Sequence, residues 1–374
     1  MRVIALGGAG DMGRQVVTDL VQSEGVEEVV IADLNIIKAD QIKDDLSNPK
    51  AKVSVRGIDA RDHEGLVAAI SGFDVAVSTI GPFYTFEKKV AQAAVDAGVK
   101  YVSICDDYDA ALAVFGLDGY VKEKKGLVLT GMGWTPGLSN VLARLGADRL
   151  SKVNKIHVAW SGAVNDSEGT AVVKHTMHIF AGKIPSFLNG QQTMIPAGSG
   201  AEVLKFPHPI GNCPVAHVGH PEPVTIPRFI PGLKEVTLKG GLTPHFWQKI
   251  TVGSARLHLF DSPRQIDLFT RILMPILGPT GKSGAGCAGL RVDIYGEMDG
   301  KEQHLVFGAA EKMARLTGIP ASIGAQMVGR GEIKKNVTGV VAPEAIIEPR
   351  KFLNELGKRG IRIYEGEEME KVIN

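Results

Sequence analysis

Two neighbouring aspartates are the side chains of this sequence whose types and position best suit chemistry. Asp106 and Asp107 follow the apolar run "YVSIC" directly, and Tyr108 comes next. A carboxylate at such a place can hold a substrate ammonium or relay a proton to a nitrogen, and the phenol of Tyr108 can donate a proton. The alternative is that one aspartate caps the following helix while Tyr108 packs at a domain seam.

A glycine-rich loop near the N-terminus is the second chemical signal. The stretch "LGGAGDMG" has the G-x-G-x-x-G pattern at Gly8, Gly10 and Gly13, after an apolar run and before a helical pattern. Such loops place a pyrophosphate on a helix N-terminus, so we also assign Asp11 and Met12 to the cofactor site. A plain strand-to-helix turn is the alternative.

The preferred cofactor is indicated by an acid at the end of the second apolar run. Asp33 stands about 20 residues after the last glycine of the loop, where an acid binds the adenosine ribose hydroxyls and repels a 2′-phosphate. We therefore predict NAD, with NADP possible. Gly81 and Pro82, which follow the fourth apolar run in "STIGPFY", are expected to lie against the cofactor.

These residues need a scaffold that brings strand ends together, and the first 135 residues have its pattern. Short apolar runs alternate with helical patterns from "RVIAL" to "GLVLTG". This alternation predicts an α/β Rossmann domain, a doubly wound parallel sheet with helices on both faces. Ligands bind outside the carboxyl ends of its strands, so the glycine loop, Gly81–Pro82 and the acid pair should share one edge.

Beyond about residue 150 the pattern changes to an α+β type, with half-polar strands, long loops and a hairpin signal in "LRVDIYGEMDGKEQHLVFG". We expect residues 1–135 to form the dinucleotide-binding domain. Residues 136–335 should form a substrate-binding domain, and residues 336–374 should pack back onto the first domain.

Composition excludes several classes of function. Lys and Arg together number 42 and Asp and Glu 41, so there is no basic excess that would hold nucleic acid. The apolar runs are too short to cross a bilayer. The three cysteines form no CxxC pair and no even framework, and the N-terminus lacks a signal-peptide pattern. We therefore expect a cytoplasmic protein that acts on a small molecule.

Several motifs resemble the saccharopine dehydrogenase family, in particular its glutamate-forming saccharopine reductase and L-lysine 6-dehydrogenase branch. They are "GGAGDMGR", "TIGPF", "AGVKYVSICDD", "GMGWTPGLSN" and "GVVAPEAIIEPRKFLNELGKRGI". The likeness covers the first 150 residues and the last 35 or so, and the middle matches in outline only. It implies a second domain on a mixed sheet, a homodimer formed through that domain, and hydride transfer at the carbon–nitrogen bond of a lysine- or saccharopine-like amino acid or imine.

Four residues are candidates for contact with the substrate. Trp134 and Asn140 follow the sixth predicted strand and could face the nicotinamide pocket, and simple packing is the alternative for both. His175 lies on a predicted helix, and the favoured alternative for it is a place on the polar face of that helix. Arg228 could bind a substrate carboxylate through two hydrogen bonds, or belong to the surface. The histidine spacing offers no set of three or four metal ligands, so we expect no metal site.

Two other functions compete with an amino-acid dehydrogenase. The first is a reductase of a larger apolar or lipid-like substrate, for which Trp134, Phe180, Phe187 and Trp247 would line a wide pocket. The second is a non-catalytic protein that senses NAD(H) with the same glycine loop. A sensor needs neither the acid pair nor a basic anchor near the nicotinamide, so the second domain discriminates between these functions. The hairpin, whose edge would need a cover, adds to the expectation of a dimer.

Overall fold

The computed structural model describes residues 1–163, 170–244, 246–256, 259, 262–277 and 286–374. The chain divides into two compact units. The first comprises Met1–Gly137 and Thr317–Glu348, and the second comprises Leu138–Leu316 and Pro349–Asn374.

The described residues form 17 strands and 14 helices. The strands are β1 (Arg2–Leu6), β2 (Glu28–Asp33), β3 (Lys52–Gly57), β4 (Val75–Ser78), β5 (Lys100–Ser103), β6 (Leu127–Leu129), β7 (Lys152–Ala163), β8 (Lys183–Leu188), β9 (Gln191–Pro196), β10 (Glu202–Phe206), β11 (Gly211–His217), β12 (Glu235–Thr243), β13 (Ala288–Met298), β14 (Lys301–Glu311), β15 (Gly339–Val341), β16 (Ile363–Glu365) and β17 (Lys371–Val372). The helices are α1 (Asp11–Leu20), α2 (Ile36–Asp44), α3 (His63–Ile70), α4 (Phe83–Asp96), α5 (Tyr108–Phe115), α6 (Asp118–Glu123), α7 (Leu138–Ala147), α8 (Thr170–Ile179), α9 (Glu222–Phe229), α10 (Phe246–Arg256), α11 (Pro263–Leu277), α12 (Met313–Arg330), α13 (Pro343–Ile346) and α14 (Pro349–Lys358).

The first unit is built on a parallel sheet of seven strands in the order β15-β6-β5-β4-β1-β2-β3. The side chains of Val3–Leu6 in β1 are all at most 1% exposed, as expected for a central strand covered on both faces. The strand order reverses between β1 and β4, which is where a doubly wound sheet leaves a crevice for a ligand. The predicted Rossmann fold is confirmed.

Helix α12 contributes its larger part to the first unit, where it packs on α1. The Ser322 hydroxyl donates to Asp19 Oδ2 at 2.6 Å. Gly318 allows the close approach, since a Cβ there would stand 2.8 Å from the Met12 carbonyl oxygen. The sequence placed residues 317–335 with the substrate domain. The structure places them in the first unit instead. The helical pattern of α12 could not indicate this, because it does not show which unit the helix packs against.

The second unit contains a mixed sheet of ten strands, with β10-β11-β12-β7-β13-β14-β16-β17 as its main path. β12 and β7 are parallel, while the other neighbours on this path are antiparallel. The hairpin β13–β14 turns at Asp299 and Gly300, which have φ values of +52° and +74°. These values are those of a type I′ turn, which requires positive φ at both central positions and favours Asp-Gly, so the hairpin signal in the sequence had a physical basis. The predicted α+β unit is confirmed.

The C-terminal segment divides between the two units, which corrects the expectation for residues 336–374. β15 extends the first sheet beside β6, as expected. Residues 349–374 belong to the second unit, where α14 packs on α7 and β16 pairs with β14. The hairpin edges are also paired within the chain, β13 with β7 and β14 with β16 over Phe307–Ala309. The hairpin therefore gives little reason to expect a dimer.

The amino edge of the first sheet holds a cavity of about 430 Å³. Its lining includes five lysines: Lys100, Lys124, Lys125, Lys334 and Lys335. Within the described ranges none of these lysines is ion-paired, whereas the neighbouring Lys122 pairs with Asp118 at 2.6 Å. Among the described helices, none is both long enough and apolar enough to cross a membrane.

Candidate functional site

The glycine loop joins the end of β1 to the start of α1. Gly7 and Gly8 donate their N–H groups to the Ala32 carbonyl, at 2.8 and 3.3 Å. A Cβ on Gly13 would lie 2.2 Å from the Gly7 carbonyl oxygen, so only glycine lets the helix pack this close. A Cβ on Gly10 would meet only that oxygen, at 3.3 Å, and would otherwise project into open space. The space above Gly10 is therefore available to a ligand.

The N-terminus of α1 suits an anion. Gly10 is its N-cap residue, and within the described ranges no side chain caps it. Asp11 and Met12 form the first turn, both partly exposed. The N–H groups of a first helical turn have no partner inside the helix, and a phosphate is a suitable acceptor for them. The loop therefore fits the pyrophosphate of a dinucleotide.

Asp33 is held beside this loop by backbone groups. Its Oδ2 accepts the N–H of Ala9 and its Oδ1 accepts the N–H of Asn35, both at 2.9 Å. Two backbone donors fix the orientation of the carboxylate at the end of β2 while its remaining lone pairs stay available. Leu34, the next residue, is 69% exposed. The arrangement suits the two hydroxyls of a ribose.

The loop after β4 contacts the glycine loop from the other side of the crevice. The Thr79 hydroxyl donates to the Gly7 carbonyl at 2.9 Å, which ties the two loops together. Gly81 and Pro82 follow, both partly exposed, and Pro82 occupies the N-cap position of α4. The structure thus brings these two predicted residues to the same edge as Gly8 and Gly10.

The acid pair lies at the end of the neighbouring strand, β5. Asp107 is fully buried, and its Oδ2 accepts the N–H of Tyr84 in the first turn of α4 at 3.0 Å. Asp107 is also the N-cap residue of α5, but its side chain does not cap that helix, all of which the structure describes. Asp107 therefore caps α4, and not the helix that follows it in the sequence. Asp106 is partly exposed beside it.

Two residues next to the acid pair keep their protons. Burial raises the pKa of Tyr108, and the carboxylates of Asp109 and Asp107 raise it further. Its phenol therefore stays protonated at neutral pH and can donate. Burial also raises the pKa of the Cys105 thiol well above its usual range, so this cysteine is an inert thiol.

Glu87, on the buried face of α4, is a carboxyl group that sequence reasoning missed. It accepts hydrogen bonds from the hydroxyls of Tyr101 at 2.9 Å, Ser103 at 2.5 Å and Thr130 at 3.4 Å. Burial raises its pKa to about 7, and the three hydroxyls oppose that rise. The sequence did indicate a buried acid here, because Glu87 stands four residues after Phe83 on the apolar face of the helix.

The four predicted substrate residues fall in both units. Trp134 belongs to the first unit and is 7% exposed, while Asn140, His175 and Arg228 belong to the second. Asn140 is fully buried, and its Nδ2 donates to the Thr225 hydroxyl at 3.1 Å. Arg228 is exposed in the last turn of α9. His175 is partly exposed on α8.

A buried polar group in the second unit, here named the His220–Glu222 cluster, consists of Ser139, His220 and Glu222. The Ser139 hydroxyl donates to Glu222 Oε1 at 2.8 Å, and His220 Nδ1 lies 3.6 Å from Glu222 Oε2. The sequence analysis considered the spacing of the histidines only for a metal site, and it did not single out Ser139 or Glu222. The available signal was an acid between two prolines in "HPEPV".

One other cluster in the second unit has the residue types of a metal site, namely Asp293, His304 and Glu367. Arg291 donates to both Asp293 oxygens and to Glu367, each at 2.8 Å. The guanidinium supplies the positive charge that an ion would bring, so this is an ion-pair network.

Comparisons with known proteins agree with this geometry. A family model described as the saccharopine dehydrogenase NADP binding domain matches residues 3–124, and one described as the saccharopine dehydrogenase C-terminal domain matches residues 225–361. The carboxyaminopropylagmatine dehydrogenase of Synechocystis sp. is 22% identical over 396 aligned positions, which span 98% of each chain.

Two solved structures share the fold. Apo saccharopine dehydrogenase (L-Glu forming) from Saccharomyces cerevisiae has a TM-score of 0.70 at 15% identity, with all of both chains covered. An amine dehydrogenase from Mycobacterium smegmatis has a TM-score of 0.50 at 12% identity, with 94% of this chain and 97% of that chain covered.

Proposed function

Because the chain belongs to the saccharopine dehydrogenase family and is an NAD(P)-binding oxidoreductase, we propose that it transfers a hydride at the carbon–nitrogen bond of an amino acid or imine. This is chemistry on a CH–NH or CH–NH₂ donor, of the EC 1.5.1 or 1.4.1 type. The observation that carries the proposal is the acid pair at the carboxyl edge of the first sheet, beside the loops that suit the dinucleotide.

In this proposal the aspartates handle charge and protons at the nitrogen. A nicotinamide ring supplies the hydride acceptor or donor. A substrate amine that becomes an imine must lose a proton as well as a hydride, and a positioned carboxylate can take that proton or neutralise the ammonium. Asp107 is held rigidly by α4 and Asp106 is the more accessible of the two, so we assign the proton relay to Asp106 and the electrostatic role to Asp107. Tyr108 is a further proton donor.

NAD is the proposed cofactor, although the matching family model is named for NADP binding. Asp33 is fixed by two backbone N–H groups with its charge beside the glycine loop. A 2′-phosphate near it would experience like-charge repulsion, while ribose hydroxyls would donate to it. The neighbouring residue is Leu34, an apolar side chain that could not neutralise a phosphate.

The proposed substrate is a lysine- or saccharopine-like amino compound. Two similar proteins support this choice, since one is named for saccharopine and the other for carboxyaminopropylagmatine. The alternative of a large apolar substrate loses one of its wall residues, because Phe180 is 1% exposed and belongs to the core of the second unit.

A homodimer and a cytoplasmic location are also proposals. Leu268 and Ile272, four residues apart on α11, are 61% and 55% exposed, which is unusual for two adjacent large apolar side chains on a monomer. Light scattering at micromolar concentration tests the dimer, and a monomer would contradict it. The free thiols of Cys105, Cys213 and Cys287 are typical of a reducing compartment.

The function is tested by following NADH absorbance against L-lysine, diamines and opine-type secondary amines, each with NAD and with NADP. We expect turnover of at least one amine with NAD. Tight NADH binding without turnover of any amine would favour the sensor instead.

A further inference from the structure

The carboxyl edge of the first sheet carries the glycine loop and the acid pair, and the opposite, amino edge carries the lysine-lined cavity described above. We infer that this cavity binds a nucleoside polyphosphate, a small molecule with several negative charges and an apolar base. β1, β4, β5 and β6 are parallel, so the cavity and the glycine loop lie at opposite ends of these strands. A ligand in the cavity would therefore act as an effector and not as the hydride carrier.

The first reason is the concentration of positive charge. The lining holds five lysines, and none of its described residues is an acid. The chain as a whole is balanced, with 42 Lys and Arg against 41 Asp and Glu. The lysines come from three separate segments, at residues 100, 124–125 and 334–335, so folding brings them to one place. Like charges gathered in this way repel one another, and a bound polyanion would remove that repulsion.

The second reason is that most of these ammonium groups have no structural partner. Lysines often neutralise the last carbonyls of helices, and α4, α6 and α12 all end at this edge. Lys100 does so, because it donates to the Val328 carbonyl at 3.1 Å. The ammonium of Lys124 lies over the ring of Tyr120, 5.8 Å from the ring centre. Within the described ranges, the other three lysines of the cavity contact neither a carboxylate nor a helix carbonyl through their ammonium groups.

The third reason is the backbone of Lys125, whose φ is +53°. This left-handed conformation strains any residue with a Cβ atom and favours glycine. Lys125 directly follows Lys124, the C-cap residue of α6, and glycine is the usual residue at that position. Such strain is typical of places where a side chain has a function. A lysine held there at a cost in stability is consistent with a role for its charge in the cavity.

The shape and the floor of the cavity favour a small molecule with an apolar part. The floor includes Val95, Val99 and Leu127, each of which is at most 5% exposed. These side chains offer a surface to a base, while the lysines reach the phosphates. The volume of about 430 Å³ lies within the usual range of small-molecule sites, roughly 300–1,000 Å³. A polynucleotide or a membrane would instead require an extended band of cations.

The test is a calorimetric titration of the full chain, saturated with NADH or NADPH, without Mg²⁺ and at physiological ionic strength. The bound dinucleotide occupies the glycine loop, so its fluorescence should not change as a second nucleotide binds. ATP and GTP are the probes, adenosine lacks the phosphates, and inorganic triphosphate lacks the base. We expect ATP or GTP to bind at one site per chain, more tightly than inorganic triphosphate, and adenosine not to bind. No binding of either nucleotide, displacement of the dinucleotide, or equal affinity for inorganic triphosphate would overturn the inference.

Lys125→Gly is the informative variant, because it removes a charge and relieves the left-handed backbone at once. Nucleotide affinity should fall by roughly 10-fold, about the value of one charged hydrogen bond, while the melting temperature should not fall. Lys334→Ala combined with Lys335→Ala should weaken binding further. Lys122→Ala is the control, since Lys122 is an exposed lysine of α6 that pairs with Asp118 at 2.6 Å outside the cavity. Wild-type affinity in the first two variants would place the nucleotide elsewhere and overturn the inference.

Two other anionic partners are tested with the same proteins. One probe is a fluorescently labelled single-stranded RNA oligonucleotide, and the other is a vesicle that contains phosphatidylserine. We expect neither to bind the wild type at physiological ionic strength. If either binds, loses affinity in the combined variant of Lys334 and Lys335, and is not displaced by ATP or GTP, the cavity serves that partner and the inference is wrong.

Discussion

The carboxylates of the two candidate sites, Asp33 and Asp107 in the first unit and Glu222 in the second, are held in different ways. In the first unit Asp33 accepts from the backbone of Ala9 and Asn35, and Asp107 accepts from the backbone of Tyr84. In the second unit Glu222 accepts from the side chain of Ser139, which is 83 positions away in the sequence. Backbone donors at strand ends and helix starts come with the fold itself. Side-chain donors come from particular residues that only the folded chain brings together.

The largest effect is expected from the acid pair. Asp106→Asn or Asp107→Asn, at least one of them, should lower turnover by roughly 2–4 orders of magnitude, the range for a positioned acid–base group. NADH affinity should not change, because asparagine still offers Tyr84 an acceptor. Steady-state kinetics beside NADH fluorescence titration measure both quantities.

Asp109→Asn is the matched control, since Asp109 is the third acid of the same stretch and lies in the first turn of α5, where it accepts the N–H of Ala110 at 2.9 Å. It should turn over at nearly the wild-type rate. If both Asp106→Asn and Asp107→Asn also do so, the first-unit acids are purely structural, and the catalytic group must be sought in the second unit.

The glycine loop gives the next largest effect. Gly10→Val should abolish NADH binding while the fold stays intact, because its side chain would occupy the open space above the loop. Gly13→Ala should instead lower the melting temperature, since its Cβ would strike the Gly7 carbonyl oxygen. Calorimetry and thermal unfolding separate the two variants. Wild-type NADH affinity in Gly10→Val would remove the pyrophosphate assignment.

A smaller effect is expected for cofactor choice. Asp33→Ala removes the charge that opposes a 2′-phosphate and the acceptor for the ribose hydroxyls. The ratio of kcat/KM for NAD to that for NADP should fall by roughly 10-fold or more, about the value of one charged hydrogen bond. A wild type that already prefers NADPH by a wide margin would contradict the role given to Asp33.

The smallest effect concerns Glu87, a first-unit acid that is held by three side-chain hydroxyls. Its folded pKa of about 7 lies above its usual 4.5, so the folded state binds the proton more tightly. The protonated Glu87 side chain should therefore make its full contribution to the free energy of unfolding below pH 4.5. That contribution should fall as the pH rises to about 7, by at most roughly 3 kcal/mol. Glu87→Gln should remove that slope, which urea unfolding at several pH values between the two pKa values and just above the higher one would measure.

Glu64→Gln, which changes an exposed acid, should keep the wild-type slope of stability with pH. An equal slope in Glu87→Gln would show that the hydroxyls of Tyr101, Ser103 and Thr130 hold a carboxylate instead of a carboxylic acid. Glu87 would then resemble the other acids of the first unit.

The same comparison explains what could be predicted from the sequence. The edge that carries Gly10, Asp33 and Asp107 follows from alternation of strands and helices, because parallel strands place their carboxyl ends together. The position of residues 349–374 could not be predicted, because the pairing of β16 with β14 depends on a partner about 55 residues earlier in the chain. Glu222 was missed for the same reason, since no local pattern indicates that Ser139 will meet it.

The lysine-lined cavity at the amino edge of the first sheet has a consequence for how this protein meets its surroundings. Five cations face one hollow on a chain whose formal net charge is only +1, so the local potential is far more positive than the average. Multivalent anions, dinucleotides included, will concentrate there at low ionic strength. The attraction fades once the Debye length shrinks to about 8 Å, near 0.15 M salt. Apparent cofactor stoichiometry should therefore depend on ionic strength, while occupancy of the glycine loop should not.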